Sequence, residues 1–517
     1  MGSAVTTTGN GSTSVIERGE APFTYRQLVA IANGASVAIS PAVQANVANA
    51  RRIIERIIAK GERAYGISTG LGALCNVLLS GAEQAELSRN TLLSHACGVG
   101  VPLPVPAARA IMASLLNDLC HAKSGASPAV PAQLAALLNA DITPLVPSQG
   151  SVGYITHGAH VGLALIGIGD VVMKGRQMPA EEALAAAGLK PITLAAKDGL
   201  CLVNGTRCLT GLACLALAEA EHVTDWADVT GALSFEALKG QIDAFDPQVL
   251  ALKPHPGLLW VGERLRALLS GSEIIARHRG IRTQDALSLR SIPQIHGATR
   301  DQIDHARRQI EIELGSATDN PLVIGTEDDY RVISNAHPHG QSLAMAVDLL
   351  SIAIAELGSV AERRLDRLIN PAVSDLPAFL VQNGGVNSGM MITQYVAASL
   401  AAENKLLAQP LVTDNYITSA QQEDHLSLGT PGALKCLQVV ANTRKILAIE
   451  YLLAAQAMEF YPGLKRGIGT EAAYAVLRQR IPSYAQDRFL APDIAAVDAA
   501  MAGPDWLARI LAAIGAA

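Results

Sequence analysis

The sequence predicts an all-α protein in which a loop-rich N-terminal region precedes a long central helical bundle. Two observations support this fold class. Half of the 517 residues are apolar but only 4% are aromatic, so small aliphatic side chains that favour close helix packing dominate. Three long stretches, 341–370, 388–409 and 432–460, carry apolar residues at helical spacing. Helices of about 20–30 residues span roughly 30–45 Å and pack as a bundle when several faces are apolar.

The chain divides into three predicted regions. Residues 1–20 are polar and contain several glycines, so we expect a flexible tail. Residues 21–215 alternate helical stretches with glycine-containing loops, which predicts a loop-rich helical domain. Residues 216–517 contain the long helices and are predicted to form the central bundle domain.

The clearest early helix lies between Ser40 and Gly61. Ser40 can cap its first turn, Pro41 suits the first helical position, and Gly61 can end it in the left-handed conformation. The stretch from Tyr65 to Ala73 then contains three glycines and a Ser-Thr pair, which predicts a loop.

Charge and cysteine content exclude several classes of function. The net charge is −6 and basic residues form no runs, so we expect no nucleic-acid partner. The seven cysteines include no C-x-x-C pair, which argues against a disulfide or zinc framework and favours the reduced cytoplasm. No run of eighteen apolar residues occurs, so we expect no membrane span.

Five polar loops interrupt the apolar helices and hold the candidate site residues. They are Tyr65 in "AYGISTGLG", His95 in "LLSHACGVG", Asn204 in "CLVNGTR", and the segments 284–298 and 418–427. Each residue alone has an ordinary structural explanation, such as a packed tyrosine ring, a core histidine or an Asn-Gly turn. Their joint occurrence is what indicates a site.

In this order the loops resemble those of the histidine and aromatic ammonia-lyase family, and its histidine branch in particular. "YGISTGLG" is similar to the family's Y-G-[IV]-N-T-G-F-G loop, and "LLSHACGVG" to its L-S-H-A-x-G-x-G block. Further blocks match in the family's order: "LVNGT", "QDALSLR…PQIHGA", "TDNPL", "NSGMM", "AAENK" and "TSAQQEDHLS". The resemblance covers about residues 20–480. It implies a mainly α protomer, assembled as a homotetramer in which several chains contribute to each active site.

The resemblance also implies roles for individual residues. Tyr65 would remove the β-proton of a small-molecule substrate, although a phenol with an ordinary pKa of about 10 must be made more acidic to act as a base. Arg290 would hold the substrate carboxylate with its planar fork. Asn204 and Gln284 would bind around the amine and the carboxylate, and Asn320 would also contact the substrate.

Two further residues concern the substrate ring. His95 and Glu423 would face it, and a carboxylate opposite an imidazole can accept its N–H. The resemblance therefore implies a ring like that of histidine.

The stretch "GSVGYITHGAHVG", residues 150–162, departs from the family. The family has an Ala-Ser-Gly triplet after G-S-V-G, and this triplet cyclises into an electrophilic methylidene-imidazolone. Here Tyr154 follows instead, and there is no Ser-Gly pair to cyclise. Leu287 and Pro338 also replace a tyrosine and a phenylalanine that lie near the electrophile in the family. We therefore expect no cofactor.

This loss suggests a particular substrate. The electrophile bonds to the lone pair of the substrate amine, whereas a trimethylammonium has no lone pair and departs as a neutral amine. The chain thus resembles the ergothionases, superfamily members without the electrophile, and is expected to convert ergothioneine, a histidine betaine, to thiolurocanate and trimethylamine. Tyr154 or Tyr416 would lie beside the cation, where an aromatic face contributes about 0.5–2 kcal/mol.

Three alternatives stay open at this point. The first is a metal enzyme that uses His157 and His160, or His337 and His339, although the sequence offers no evident third ligand. The second is a non-catalytic or binding paralogue that has lost the cofactor. The third is an elimination on another imidazole-containing amino acid. Glycine-rich stretches such as "GIGIGD" are too short and wrongly placed for a nucleotide-binding loop.

Overall fold

The structure is a computed structural model that describes residues 13–17, 23–74, 76–153 and 155–515. Helices dominate it, and the predicted mainly α fold class is confirmed. The helices of the N-terminal region are α1 (Tyr25–Ala32), α2 (Pro41–Lys60), α3 (Gly81–His95), α4 (Val105–Leu119), α5 (Ala129–Asn139), α6 (Thr156–Leu165), α7 (Ala180–Ala186) and α8 (Asp198–Val203).

The remaining helices include the long ones of the bundle. They are α9 (Arg207–Ala237), α10 (Pro247–Ala251), α11 (Pro256–Leu268), α12 (Glu273–Arg277), α13 (Leu287–Arg290), α14 (Ile292–Leu314), α15 (Gln341–Ile369), α16 (Pro371–Ser374), α17 (Met391–Leu407), α18 (Gly429–Ala457), α19 (Ile468–Arg478), α20 (Ala491–Ala502) and α21 (Asp505–Ala513).

Short strands form four small sheets at the edges of the helical body. They are β1 (Thr13–Ile16), β2 (Ser36–Ile39), β3 (Val99–Pro102), β4 (Ile142–Pro144), β5 (Pro147–Gln149), β6 (Asp170–Met173), β7 (Arg176–Pro179), β8 (Leu322–Gly325) and β9 (Tyr330–Ile333). β1 pairs with β2 in parallel, whereas β3 with β5, β4 with β6, β6 with β7, and β8 with β9 are antiparallel.

Five long helices, α9, α14, α15, α17 and α18, pack against one another as the central bundle. Small residues let them approach closely: a Cβ on Gly358 of α15 would lie 3.1 Å from Thr443 Oγ1 of α18. The three long helices expected from the sequence are therefore present, at 341–369, 391–407 and 429–457.

A charged network runs through the middle of this bundle. Arg364 of α15 donates to both oxygens of Glu450 of α18, and both side chains are fully buried. Thr230 and Ser234 of α9 donate to the same carboxylate at 2.9 and 2.7 Å. The buried charges are thus fully hydrogen-bonded, which is the condition under which such a network is stable.

The early helix and the predicted tail have different outcomes. Ser40 Oγ accepts the N–H of Val43 at the start of α2, and Gly61 ends the helix at φ 65°, as expected. Thr13–Ile16, assigned to the flexible tail, instead pair with Ser36–Ile39, because β2 leaves an unpaired edge beside them. Residues 1–12 and 18–20 lie outside the described part of the chain.

Helix α9 crosses the proposed domain boundary at 215/216, and the division into domains stays a prediction.

Two stretches, Asp198–Ala237 and Gln341–Ile369, are long and apolar enough on average to cross a membrane by length and composition alone. The apolar part of the first is wholly buried inside the chain, and that of the second is 61% buried. Core helices of a packed bundle have the same properties, so length and composition do not assign either stretch to a membrane.

Candidate functional site

The loop between α2 and α3 presents Tyr65. Ile67 of this loop packs against Ile54 and Ile57 of α2 and against Val323 of β8, which anchors the loop to the helical body. Tyr65 is half-buried, and its phenolic oxygen accepts the backbone N–H of Gly72 at 3.3 Å. Hydrogen bonds donated to a phenolic oxygen favour its ionised form, which is the form a base needs.

Open space borders Tyr65 on one side. A surface pocket of about 260 Å³ lies between its loop and the β8–β9 hairpin, and Glu62, Arg63, Pro321 and Tyr330 contribute to the lining. Tyr65 therefore borders a pocket that is open to solvent.

The Tyr65 loop contacts the segment that carries Glu423. A Cβ on Gly72 would lie 3.9 Å from the Cβ of Ser419, so the two loops are in van der Waals contact. Within the second loop, Thr418 donates its backbone N–H to the Glu423 carbonyl at 2.8 Å and its hydroxyl to Glu423 Oε2 at 3.2 Å. These bonds hold the Glu423 carboxylate at the base of the loop.

His95 ends α3, and the charge of Glu423 acts on it. Burial lowers the pKa of His95, whereas the Thr91 carbonyl and the Glu423 carboxylate raise it, and the net pKa is below the ordinary value. The Nδ1 of His95 lies 2.9 Å from the Ser94 hydroxyl. The structure thus places the two predicted ring-binding residues near enough for the charge of Glu423 to act on His95.

Asn204 follows α8 and is 8% exposed. Its Nδ2 donates to Asp319 Oδ1 at 3.1 Å and to the Asn320 carbonyl at 2.8 Å. Asn320 Oδ1 in turn accepts from the Ser334 hydroxyl and the Asn335 backbone N–H. Asn204 and Asn320 are therefore neighbours, and the Asn320 side-chain oxygen is already used inside the chain.

A pair of histidines connects the Asn204 side of the site with the Glu423 loop. Asn335 Nδ2 donates to the Asp319 carbonyl, which places the 335–340 segment over Asp319. At the end of that segment, His339 Nε2 lies 2.9 Å from His425 Nδ1, and the ring centroids are 5.1 Å apart. Burial and the neighbouring His425 lower the pKa of His339.

Sequence reasoning did not select this pair as site residues. His425 follows Glu423 by two positions and His339 lies in "NAHPHG", but nothing in a single sequence shows that two histidines 86 positions apart meet. The available signal was that His425 lies in the polar segment 418–427, whereas His339 entered only as a possible metal ligand together with His337.

The loop at 150–156 lies beside Asn204 and the start of α18. The Val152 carbonyl accepts the N–H of Leu428 at 2.9 Å, and the Gly153 carbonyl accepts the Thr430 hydroxyl at 2.7 Å. On the other side, Ile155 donates its N–H to the carbonyl of Val203, the residue before Asn204. Tyr154 lies outside the described residues, so its place beside the substrate stays a prediction.

The residues of this loop do not fit the family's electrophile. That group needs a serine followed by a glycine, and the residues directly after Gly153 are Tyr-Ile-Thr instead. The first hydroxyl after Gly153 within the described residues belongs to Thr156, which is in the first turn of α6 and donates to the Gly150 carbonyl at 2.9 Å. Ile155, a β-branched residue, adopts φ 77°, a strained conformation of about 1–3 kcal/mol.

The histidines proposed as metal ligands have other surroundings. His157 is fully buried, and burial together with His160 lowers its pKa to about 4, with the Pro147 carbonyl opposing the shift. His160 Nε2 accepts the N–H of Gly98 at 3.2 Å. Across the described ranges, no group of three or more His, Cys, Asp or Glu side chains is placed to hold a metal ion.

Three further predicted residues have surroundings of their own. Arg290 ends α13, which packs against α9, α14 and α15, and its guanidinium makes no hydrogen bond or ion pair with the residues that the structure describes. Gln284, just before α13, is exposed. Tyr416 is 56% exposed, and its hydroxyl donates to Asp414, which raises the Tyr416 pKa.

Comparison with known proteins gives the family. A sequence profile of the aromatic amino acid lyases matches residues 23–479. The chain is 44% identical over 499 residues to a histidine ammonia-lyase of Symbiobacterium thermophilum, covering 96% of this chain and 98% of the relative. Further relatives that are 41–44% identical carry the same name.

Solved structures agree on the fold. A histidine ammonia-lyase from Trypanosoma cruzi superposes with a TM-score of 0.88 at 34% identity, covering 97% of this chain and 98% of the other. An ergothionase from Treponema denticola also gives a TM-score of 0.88, but at 29% identity, covering 95% and 99% of the two chains.

These comparisons correct the activity expected from the sequence. Trimethylamine elimination from ergothioneine is the wrong prediction, because relatives at 41–44% identity over nearly the full chain are named histidine ammonia-lyase. The physical reason lies in the amine. A protonated α-ammonium, like a trimethylammonium, has no lone pair and departs as a neutral molecule, so the missing triplet does not by itself select a methylated substrate.

The family assignment rests on how much of the chain matches as well as on the sequence identity. The profile covers most of the chain, and the match to the relatives extends to nearly their full length. The chain therefore belongs to the aromatic amino acid lyase family and is a lyase.

Proposed function

We propose that this lyase eliminates ammonia from histidine and releases the imidazole acrylate, urocanate. The observation that carries the proposal is that the Glu423 carboxylate, in a loop against the Tyr65 loop, lies near enough to His95 for its charge to act on the imidazole. A carboxylate there accepts the N–H of an imidazole ring, whereas a phenyl ring offers it no donor. The names of the relatives point to the same substrate.

In this proposal each end of histidine has its own partner. Glu423 binds the ring N–H, and His95 contacts the ring. The Oδ1 of Asn204 accepts from the α-ammonium, since both N–H groups of its amide are used inside the chain. Arg290, whose guanidinium is free of partners among the described residues, binds the carboxylate from a neighbouring chain, in line with the shared active sites that the family resemblance implies.

The reaction is a base-promoted elimination. Tyr65, as the phenolate, takes the β-proton, and the C–H bonding electrons form the Cα–Cβ double bond. The C–N bond breaks as this double bond forms, and its electron pair leaves with ammonia. A ring held as imidazolium beside Glu423 withdraws electrons from Cβ and makes the β-proton more acidic. General-base catalysis of this kind contributes about 10²–10⁴-fold.

The reacting amine in this scheme is the ammonium form. Because the loop after Gly153 does not supply an electrophile to which a neutral amine could add, the leaving group must depart from its protonated state. Deprotonating the α-amine would therefore slow the reaction, and kcat/KM would fall as the pH rises above the amine pKa.

We also propose a homotetramer. Apolar side chains stay exposed on the outer faces of α15 and α17, among them Met345, Ile352, Ile392 and Tyr395. A face of this kind is typical of a subunit interface. Association through it would supply Arg290 from a second chain. A cytoplasmic location remains a prediction from the cysteine content.

The experiment is to incubate the purified chain with L-histidine and to measure ammonia and imidazole acrylate. We expect equal amounts of both products, little product from L-phenylalanine or L-tyrosine, and no trimethylamine from ergothioneine. Tyr65→Phe should lower turnover by about 10²–10⁴-fold. Tyr474→Phe, which alters a tyrosine that hydrogen-bonds Glu459 of the C-terminal region, is the matched control and should retain turnover.

Two outcomes would redirect the proposal. Binding of histidine without any product would favour a non-catalytic paralogue, which the missing Ser-Gly pair and the replacements at Leu287 and Pro338 would then explain. Turnover of a different imidazole-containing amino acid in preference to histidine would keep the elimination and change the substrate.

A further inference from the structure

A buried ion pair lies directly beneath Asn204 and has no part in the chemistry described above. Lys197, at the start of α8, and Asp319, just before Asn320, are 0% and 1% exposed. Lys197 Nζ lies 2.8 Å from Asp319 Oδ2. The two residues are 122 positions apart in the sequence, so the pair joins two separate segments of the site.

Every donor of Lys197 has an acceptor. Besides Asp319, its Nζ donates to the carbonyl of Ser124 at 2.5 Å and to that of Pro321 at 3.1 Å. Burial lowers the pKa of Lys197, but Asp319 and Cys201 more than offset this, and the net pKa is above the ordinary value. The ammonium is therefore charged and fixed in place by three oxygen atoms.

Asp319, held by Lys197, in turn fixes the orientation of the Asn204 side chain. Its Oδ2 is occupied by Lys197, while its Oδ1 accepts both from Asn204 Nδ2 and from the Asn320 backbone N–H at 2.7 Å. The second N–H of the Asn204 amide goes to the Asn320 carbonyl. Both contacts of Nδ2 are to acceptors, so the amide cannot flip without placing oxygen against oxygen.

Because both N–H groups of the Asn204 amide are used, its Oδ1 is the one side-chain atom left to bind a ligand. Its Oδ1 forms no hydrogen bond with any residue in the described ranges, and an amide oxygen is an acceptor only. An acceptor next to the Tyr65 and Glu423 loops fits a cationic donor on the substrate.

We propose that Lys197 and Asp319 are positioning residues that fix the Asn204 amide with Oδ1 directed at the substrate α-ammonium. This inference rests on the proposed histidine elimination. It assigns the ion pair to one end of the substrate only. The ring and the carboxylate are bound elsewhere, so disturbing the pair should affect ligands that carry the ammonium and spare those that lack it.

The test compares two ligands by calorimetry: L-histidine, with substrate turnover blocked by Tyr65→Phe, and imidazolepropionate, which is histidine without its amino group. Lys197→Met should raise the Kd of histidine by about tenfold or more, since a hydrogen bond to a charged group is lost. The Kd of imidazolepropionate should stay within about twofold. Asn204→Ala should have the same selective effect, and the double variant should be no weaker than Asn204→Ala alone.

Arg109→Met is the control for a purely structural effect. Arg109 is also a buried cation, but it donates to the carbonyls of Ile31 and Leu138, away from the site residues. The Arg109→Met substitution should lower the melting temperature and leave the Kd ratio of the two ligands unchanged.

Lys197→Met can also fail to fold, because it leaves Asp319 buried and unpaired. The paired variant Lys197→Gln with Asp319→Asn removes both charges and keeps hydrogen-bonding groups, and it should show the same selective loss. Equal weakening of both ligands in the folded variants would overturn the inference and leave the elimination intact. A Tyr65→Phe chain that binds neither ligand would instead overturn the proposed function, and the inference with it.

Discussion

Replacing Glu423 by glutamine removes one charge at the ring-binding end of the site and keeps the size of the side chain. In the structure the Glu423 side chain accepts only from the Thr418 hydroxyl, at 3.2 Å, among the described residues, and an amide oxygen can accept that bond equally well. The backbone bond from Thr418 to Glu423, at 2.8 Å, does not involve the side chain. The loop should therefore keep its shape, and the loss should report the charge alone.

The size of the effect follows from the contact that is weakened. A hydrogen bond to a charged group contributes about 1.5–3 kcal/mol, and each 1.36 kcal/mol is a factor of ten. We expect kcat/KM for L-histidine to fall by roughly 10–150-fold in Glu423→Gln. The Glu423 charge also raises the pKa of His95, so its removal should lower that pKa further.

Steady-state kinetics with L-histidine measures the first effect, and an NMR titration of the His95 ring measures the second. Asp424→Asn is the matched control, because Asp424 is the next residue, carries the same charge and has an exposed side chain. An unchanged kcat/KM in Glu423→Gln, or an equal loss in Asp424→Asn, would refute the assignment of Glu423 to the ring.

Three other predictions concern the stability of the fold. Arg364→Met should destabilise the chain by about 3–5 kcal/mol in denaturant unfolding, because it leaves Glu450 buried without its partner. Ile155→Gly should leave the melting temperature unchanged or raise it, since glycine relieves the strain at φ 77°; a clear decrease would show that the isoleucine side chain matters more. The pKa of His157 is about 4 when folded against about 6.5 when unfolded, so the unfolded state binds more protons between these values. Stability should therefore fall as the pH drops from 6.5 to 4, by about 3 kcal/mol from this residue, and His157→Asn should flatten the profile.

Local signals in the sequence predicted the helices well. Apolar residues at helical spacing fixed the positions of α15, α17 and α18 to within a few residues, and the Ser40 and Gly61 caps located α2. Such features depend on neighbouring residues, which one sequence displays directly.

The small sheets and the connections across the site were out of reach of this reasoning. Residues 13–16 form a strand only because β2 lies beside them, and a polar, glycine-rich stretch gives no periodic signal. The Lys197–Asp319 pair and the His339–His425 pair join residues 122 and 86 positions apart. Spacing along one chain cannot show such contacts, since they depend on how the bundle folds back on the N-terminal loops.

The substrate was the other point at which sequence reasoning was insufficient. The residues around the ring were assigned from motifs, and the structure places His95 within the field of Glu423. The methylation state of the substrate amine was inferred only from the missing Ser-Gly pair after Gly153. A chain without that pair can act on any amine that departs as a neutral molecule. The amine end needs a positive contact, and Asn204 Oδ1 is the group that the structure offers there.

The central claim is that histidine is cleaved here without a peptide-derived electrophile, and treatment with cyanide tests it most directly. Cyanide adds to an electrophilic alkene and would block a methylidene-imidazolone, whereas a tyrosine base and an amide acceptor do not react with it. We predict that the chain releases ammonia from L-histidine at the same rate before and after the treatment. Loss of that activity together with a cyanide adduct in the mass of the chain would contradict the account.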